Sequence, residues 1–226
     1  SDVCSADLGI AGGLQRPIVH GAELRAVRKT AAGRIELTFS NGVVTHDAVV
    51  LAIPFSVLRT VRLDASLGLP AWKTLAIQQL GYGANAKMML GFNARRWFFA
   101  HGSNGASYSD LTNHQTTWET NPVNATPSRA VITDFSGGQR SAQLRPSRVQ
   151  TEAANFLSDF DRVYPGAFGA ASRNVRGELI AHLEHWPSNP LSRGSYTCYR
   201  PGQFTTIAGN EGKPVGNLFF AGEHTN

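Results

Sequence analysis

The chain has 226 residues, 42% of them hydrophobic and 9% aromatic, with a formal charge of +5. That length suffices for one large or two small domains with a real core, and the composition excludes a disordered chain. No apolar run reaches the roughly 20 residues needed to span a bilayer. The basic residues are scattered pairs, such as Arg95 and Arg96 or Arg145 and Arg148, without a run interleaved with aromatics, which argues against a nucleic-acid surface.

In chain order, Ser1 to Leu8 show no period and no turn logic. They read as a non-native leader and are set aside. Finding them in an intact genomic reading frame refutes that. Residues 18–53 predict a β-meander: a first strand from Ile18 to Val27, a turn at Ala31-Ala32-Gly33, and alternating Ile35, Leu37 and Phe39. Ser40-Asn41-Gly42 is a hairpin signal, since Asn-Gly supplies the positive φ angles of a tight turn. The return strand runs from Val43 to Ile53, and its apolar end, Ala48 to Ile53, predicts burial on both faces before Pro54 stops it.

Residues 55–80 read as helix and loop, with Pro70 opening Ala71 to Leu80. Ala86 to Phe92 predicts a short strand, residues 101–128 loops with short strands, and Ala130 to Phe135 another strand closed by Gly137-Gly138. The spacing of Val149, Ala153, Phe156, Leu157, Phe160 and Val163 predicts a helix over 147–163 with Ser147 as its N-cap. Val175 to His185 predicts a strand, 186–209 loops, and Asn217 to Ala221 a last strand running into Gly222-Glu223. Mixed strands and helices give an α/β class.

Two cysteines, Cys4 and Cys198, form no CxxC pair, and a single disulfide between them would not fix the compartment. His182 and His185 make an HxxH without a third ligand, so no metal site is expected. Gly81-Tyr82-Gly83-Ala84-Asn85-Ala86 imitates a dinucleotide fingerprint but lacks the βαβ context. No Gly-x-Ser-x-Gly elbow supports a hydrolase. Leu218 to Thr225 places a glycine at the carboxyl end of a strand, where backbone can approach a ligand; alone, that is also an ordinary strand and turn.

Phe219-Phe220-Ala221-Gly222-Glu223-His224-Thr225 resembles the C-terminal FAD-binding signature of the flavin amine oxidase family, which includes monoamine, polyamine and L-amino acid oxidases. Three more segments match it in order: Asp47 to Pro54, Asn85-Ala86-Lys87, and Trp186-Pro187 with Gly194-Ser195-Tyr196 and Pro201-Gly202. Residues 102–121 resemble bacterial members. The similarity covers about residues 16–226.

The resemblance implies part of a two-domain FAD-dependent amine oxidase fold. Residues 9–60 and 192–226 would belong to the FAD domain and 61–191 to a mixed-sheet substrate domain. It implies two catalytic residues. Lys87 would hold a water against flavin N5 and assist reoxidation by O₂; Tyr196 would flank the substrate amine. It implies cofactor contacts at Leu24, Ala52, Pro54, Trp186, Ser195, Gly222 and Glu223, the last two mainly through backbone. For each, edge placement or core packing is the plain alternative. Ser195 stands where some monoamine oxidases carry a flavin-bonded cysteine, so FAD is expected to be non-covalent.

The implied reaction is oxidative deamination of an amine or L-amino acid, with hydride passing to flavin N5, imine hydrolysis, and O₂ reduced to H₂O₂. The Gly-x-Gly-x-x-Gly fingerprint of the family is absent, so the isolated chain is expected not to hold FAD. The alternatives are a related flavoprotein, such as a desaturase or protoporphyrinogen-type oxidase, and an inactive fragment. Substrate identity, a homodimer, and cytoplasmic or exported localisation stay open.

Overall fold

The computed structural model describes residues 5–120 and 129–225. Residues 1–4 of the expected leader lie outside them, as does Cys4, and residues 5–8 open a helix, α1 (Ser5–Gly12). The expected first strand starts late: β1 is Leu24–Lys29, because Gly21 turns the chain with φ 71° and residues 18–23 stay outside the sheet. β2 (Ile35–Phe39) and β3 (Gly42–His46) complete an antiparallel meander. The hairpin forms, but Ser40 and Asn41 connect it, Gly42 pairs with Phe39, and the positive φ falls on Gly42.

The expected return strand is two strands. After His46 the chain bends and β4 (Val49–Leu51) joins a different sheet. Burial on both faces is also overturned: Val49 and Leu51 are buried, but Val50 is 61% exposed and Ala52 is exposed. α2 (Phe55–Leu58) follows Pro54, and β5 (Arg62–Leu63) lies parallel to β1. Pro70 opens α3 (Ala71–Gln79).

β6 (Ala86–Phe92) alternates buried and half-exposed residues along its whole length. It is followed by α4 (Arg96–Phe99), β7 (Ser107–Tyr108), β8 (Thr116–Glu119) and β9 (Ala130–Ser136). Part of the expected loop 101–128, residues 121–128, lies outside the described residues. α5 (Gly138–Gln143) leads to α6 (Val149–Val163). Ser147 does not cap α6: a single 3₁₀ turn, Pro146–Arg148, precedes the helix and puts Arg148 at the cap position.

α7 (Ala167–Ala170) precedes β10 (Ala181–His185). The expected strand from Val175 is shorter because Asn174 Oδ1 accepts from the amides of Arg176 and Glu178 and holds a turn there. α8 (Gln203–Thr206) and β11 (Leu218–Phe220) complete the chain.

Three sheets result. The meander sheet has the order β3-β2-β1-β5, the large sheet β10-β6-β9-β8-β7 is antiparallel, and β11 pairs β4 in parallel. Two apolar cores accompany them. One packs Met88, Leu90, Phe92 and Ile132 of the large sheet against Ala153, Phe156, Leu157 and Phe160 of α6. The other joins β1, β2, β4 and β11 to α2 and α3 and includes Val61, Leu67, Ala76, Ile77 and Leu80. The expected break at residues 60/61 therefore falls inside a core; apolar packing changes partner between Tyr82 and Ala86. Among the described residues no helix is long and apolar enough to cross a membrane.

Candidate active site

Strand alternation sends Ala86, Met88, Leu90 and Phe92 into the α6 core and Lys87, Met89 and Gly91 to the opposite face of β6. Residues paired across strands share a face. Lys87 therefore stands in one row with Phe135 of β9 and Glu184 of β10. The next row holds His182, Met89, Thr133 and Trp118. The half-buried Lys87 ammonium lies 5.7 Å from the ring centroids of both Trp118 and Trp186. Aromatic faces attract a cation through their quadrupoles.

Trp186 opens the 3₁₀ turn Trp186–Ser188 directly after β10, which brings its ring over the end of the sheet. The following loop returns along Gly81 to Asn85 as an irregular antiparallel ladder. Gly83 N donates to Tyr196 O at 2.8 Å, Ser195 N to Gly83 O at 2.9 Å, and Cys198 N to Gly81 O at 2.9 Å. The two glycines permit this approach: a Cβ at Gly81 would stand 2.1 Å from Cys198 O, and one at Gly83 2.7 Å from Ser195 Oγ. Their spacing serves strand contact, in keeping with the absence of a βαβ unit around them.

Asn85, Lys87, Phe135, Trp186, Ser195 and Tyr196 line a cavity of about 280 Å³. Four predicted residues thus meet in one place. Tyr196 is 51% exposed at its mouth. Ser195 Oγ donates to Asn85 Oδ1 at 2.7 Å.

The remaining predicted residues lie elsewhere. Ala52 follows β4 and Gly222 follows β11, so both sit at the carboxyl ends of the parallel pair, where α/β sheets bind ligands. A Cβ on Gly222 would stand 4.0 Å from Ala52 O and 2.9 Å from the His224 ring, and its φ is 124°. Pro54 stands at the N-cap of α2. Leu24 opens β1 opposite Phe39, against the second core.

The Glu223 carboxylate is engaged within the chain: Thr197 N and Thr197 Oγ1 both donate to Glu223 Oε1 at 2.9 Å. His224 is buried 4.4 Å from the Phe55 ring centroid, and its Nε2 has no hydrogen-bond partner among the described residues. Burial holds its pKa below the ordinary histidine value.

The residues fit the ring end of a flavin: a cation and aromatic walls face one cavity. Among the described residues no group of three or more His, Cys, Asp or Glu could hold a metal ion. Sequence reasoning missed Phe135 and Trp118, whose places depend on strand register. It also missed Asn85 as a contact, although its place two residues before Lys87, on the same side, was a readable signal.

Residues 10–226 match the family profile described as flavin containing amine oxidoreductase. Polyamine oxidase 3 of Oryza sativa subsp. japonica is 28% identical over 201 residues, covering 85% of this chain and 37% of the relative. L-amino-acid oxidase 4 of Hebeloma cylindrosporum is 26% identical over 194 residues, covering 79% of this chain and 31% of the relative. A wild-type putrescine oxidase solved bound to putrescine superposes with a TM-score of 0.78 at 17% identity, over 97% of this chain and 46% of that one. The chain thus spans just over a third of the rice relative's length. It belongs to the flavin containing amine oxidoreductase family.

Proposed function

We propose that this chain is part of an FAD-dependent oxidase that deaminates an amine or L-amino acid. The observation that carries the reading is the cavity in which Lys87, between two tryptophan rings, faces Ser195 and Tyr196. FAD held beside Trp186 and Ser195 would supply the redox chemistry, a two-electron oxidation of the C–N bond with O₂ as the final acceptor giving H₂O₂, and the imine product would hydrolyse. The protein binds, orients and dries the reacting C–N bond. The Tyr196 ring flanks the amine. Lys87 Nζ keeps a positive charge, and a bound water, beside the place where negative charge develops during O₂ reduction.

The second core is proposed to be the FAD side of the molecule and the α6 core the substrate side. Ala52, Pro54, Gly222 and Glu223 border the cofactor, with Leu24 further out and Trp186 and Ser195 beside the ring. Ser195 cannot form a thioether, so the cofactor is non-covalent, and acid precipitation of the complete enzyme is expected to leave the yellow colour in solution. The isolated 226-residue chain is proposed not to retain FAD, because it lacks the glycine fingerprint.

The test is peroxide release by the complete, flavin-loaded enzyme against a panel of monoamines, polyamines and L-amino acids. Peroxide with at least one member is expected. Substrate oxidation without peroxide favours the desaturase or protoporphyrinogen-type alternative, and no oxidation of any member contradicts the reading.

A further inference from the structure

Tyr196 sits on a loop with no regular secondary structure, and its ring is half exposed, so its own packing does not fix it. Both of its neighbours are tied down. Thr197 is held by the Glu223 carboxylate through two contacts of 2.9 Å. Ser195 is held by Asn85, whose Oδ1 accepts from Ser195 Oγ at 2.7 Å. Asn85 is itself 8% exposed. Its amide nitrogen lies against Gly137 at the end of β9, where a Cβ would stand 3.1 Å from it. One small side chain thus touches the approach to β6, the end of β9 and the aromatic loop.

A charged residue here would put a second ionised group beside Lys87, and an apolar one would leave the half-buried Ser195 hydroxyl without its acceptor. Asparagine supplies the acceptor and stays neutral.

We propose that Asn85 is a positioning residue of the oxidase: through Ser195 it sets where the Tyr196 ring stands relative to Lys87, with Glu223 holding the other side of the loop. This rests on the function proposed above. The geometry separates the two half-reactions, because the Ser195–Asn85 contact bears on the substrate ring, whereas Lys87 is held by β6 itself.

The test uses the complete, flavin-loaded enzyme with Asn85→Ala, Ser195→Ala and the double variant. Bleaching of the flavin by amine without oxygen, and colour return on admitting oxygen, are timed separately. Each single variant is expected to slow bleaching about tenfold, since small misplacements of a positioned group cost this much or more. The double variant is expected to be no slower than either single one, as for two partners of one contact. Colour return is expected to change less than about twofold on the same reasoning. Ser195→Thr, which keeps the hydroxyl, is expected to restore part of what Ser195→Ala loses.

Hydrogen exchange at the Gly83 and Ser195 amides, which form the ladder to this loop, is expected to quicken in Asn85→Ala. Losses that multiply in the double variant, equal slowing of both half-reactions, or unchanged exchange would each overturn the proposal. If no amine bleaches the unaltered enzyme, the functional reading fails instead, and the exchange experiment still judges the Asn85 contact.

Discussion

Two regions of the molecule hold a lysine against aromatic rings, and they differ in what else the ammonium meets. Lys73 of α3 is fully buried in the second core. Its Nζ donates to Asn210 O at 2.6 Å and Glu211 O at 2.7 Å and lies 3.9 Å from the Phe220 ring centroid. Lys87 is half exposed, sits 5.7 Å from two tryptophan ring centroids, and has no hydrogen-bond acceptor among the described residues. The first lysine donates to two carbonyls and ties α3 to the loop at Asn210 and Glu211. Among the described residues the second has no acceptor for its three donors and lines a cavity. A satisfied cation holds a fold together, whereas an unsatisfied one facing open space is available to a water or a ligand.

The same division separates the two faces of β6, and truncation sharpens it. Leu90→Ala, on the face against α6, is expected to cost about 2–5 kcal/mol of stability, because Leu90 is fully buried. Lys73→Met is expected to cost about 1–3 kcal/mol, as two carbonyls lose their donor. Met89→Ala, on the half-exposed cavity face, is expected to cost less than about 1 kcal/mol. Denaturant midpoints of the three variants check the order. Equal losses on both faces would erase the distinction.

A smaller effect concerns pH. Burial pulls the Lys73 pKa down from 10.5 to about 8. Between those values the unfolded chain holds a proton that the folded one has released, so stability rises with pH, and below about 8 the penalty is fully present. Tyr199, half-buried beside the Glu211 carboxylate, is pushed up by desolvation and that carboxylate from 10.0 to about 12, which lowers stability as pH rises through that range. The melting temperature is therefore expected to climb from pH 8 to 10 and then turn over. In Lys73→Met the climb should vanish while the turnover stays. A climb that survives the substitution assigns it to another group.

Much of this was legible in the sequence. The run 86–92 placed Lys87 on a short strand, and the turn after Phe220 placed Gly222 at a strand's carboxyl end. What stayed hidden depends on pairing. Nothing local says that Phe135 lies across from Lys87, or that Val49 to Leu51 leaves the meander to join β11. Continuous apolar sequence at 48–53 suggested two buried faces, but only alternate residues are covered. Asn174 delayed the start of an expected strand by hydrogen-bonding its own turn, a competition between side chain and ladder that periodicity does not register.

Lys87 is proposed to serve the oxygen half of the reaction. Flavin reoxidation in the complete enzyme carrying Lys87→Met measures it directly. Colour return is expected to slow about a hundredfold, the scale of losing one preorganised electrostatic contact, while bleaching by substrate is little changed. Colour returning at the unaltered rate would contradict the account.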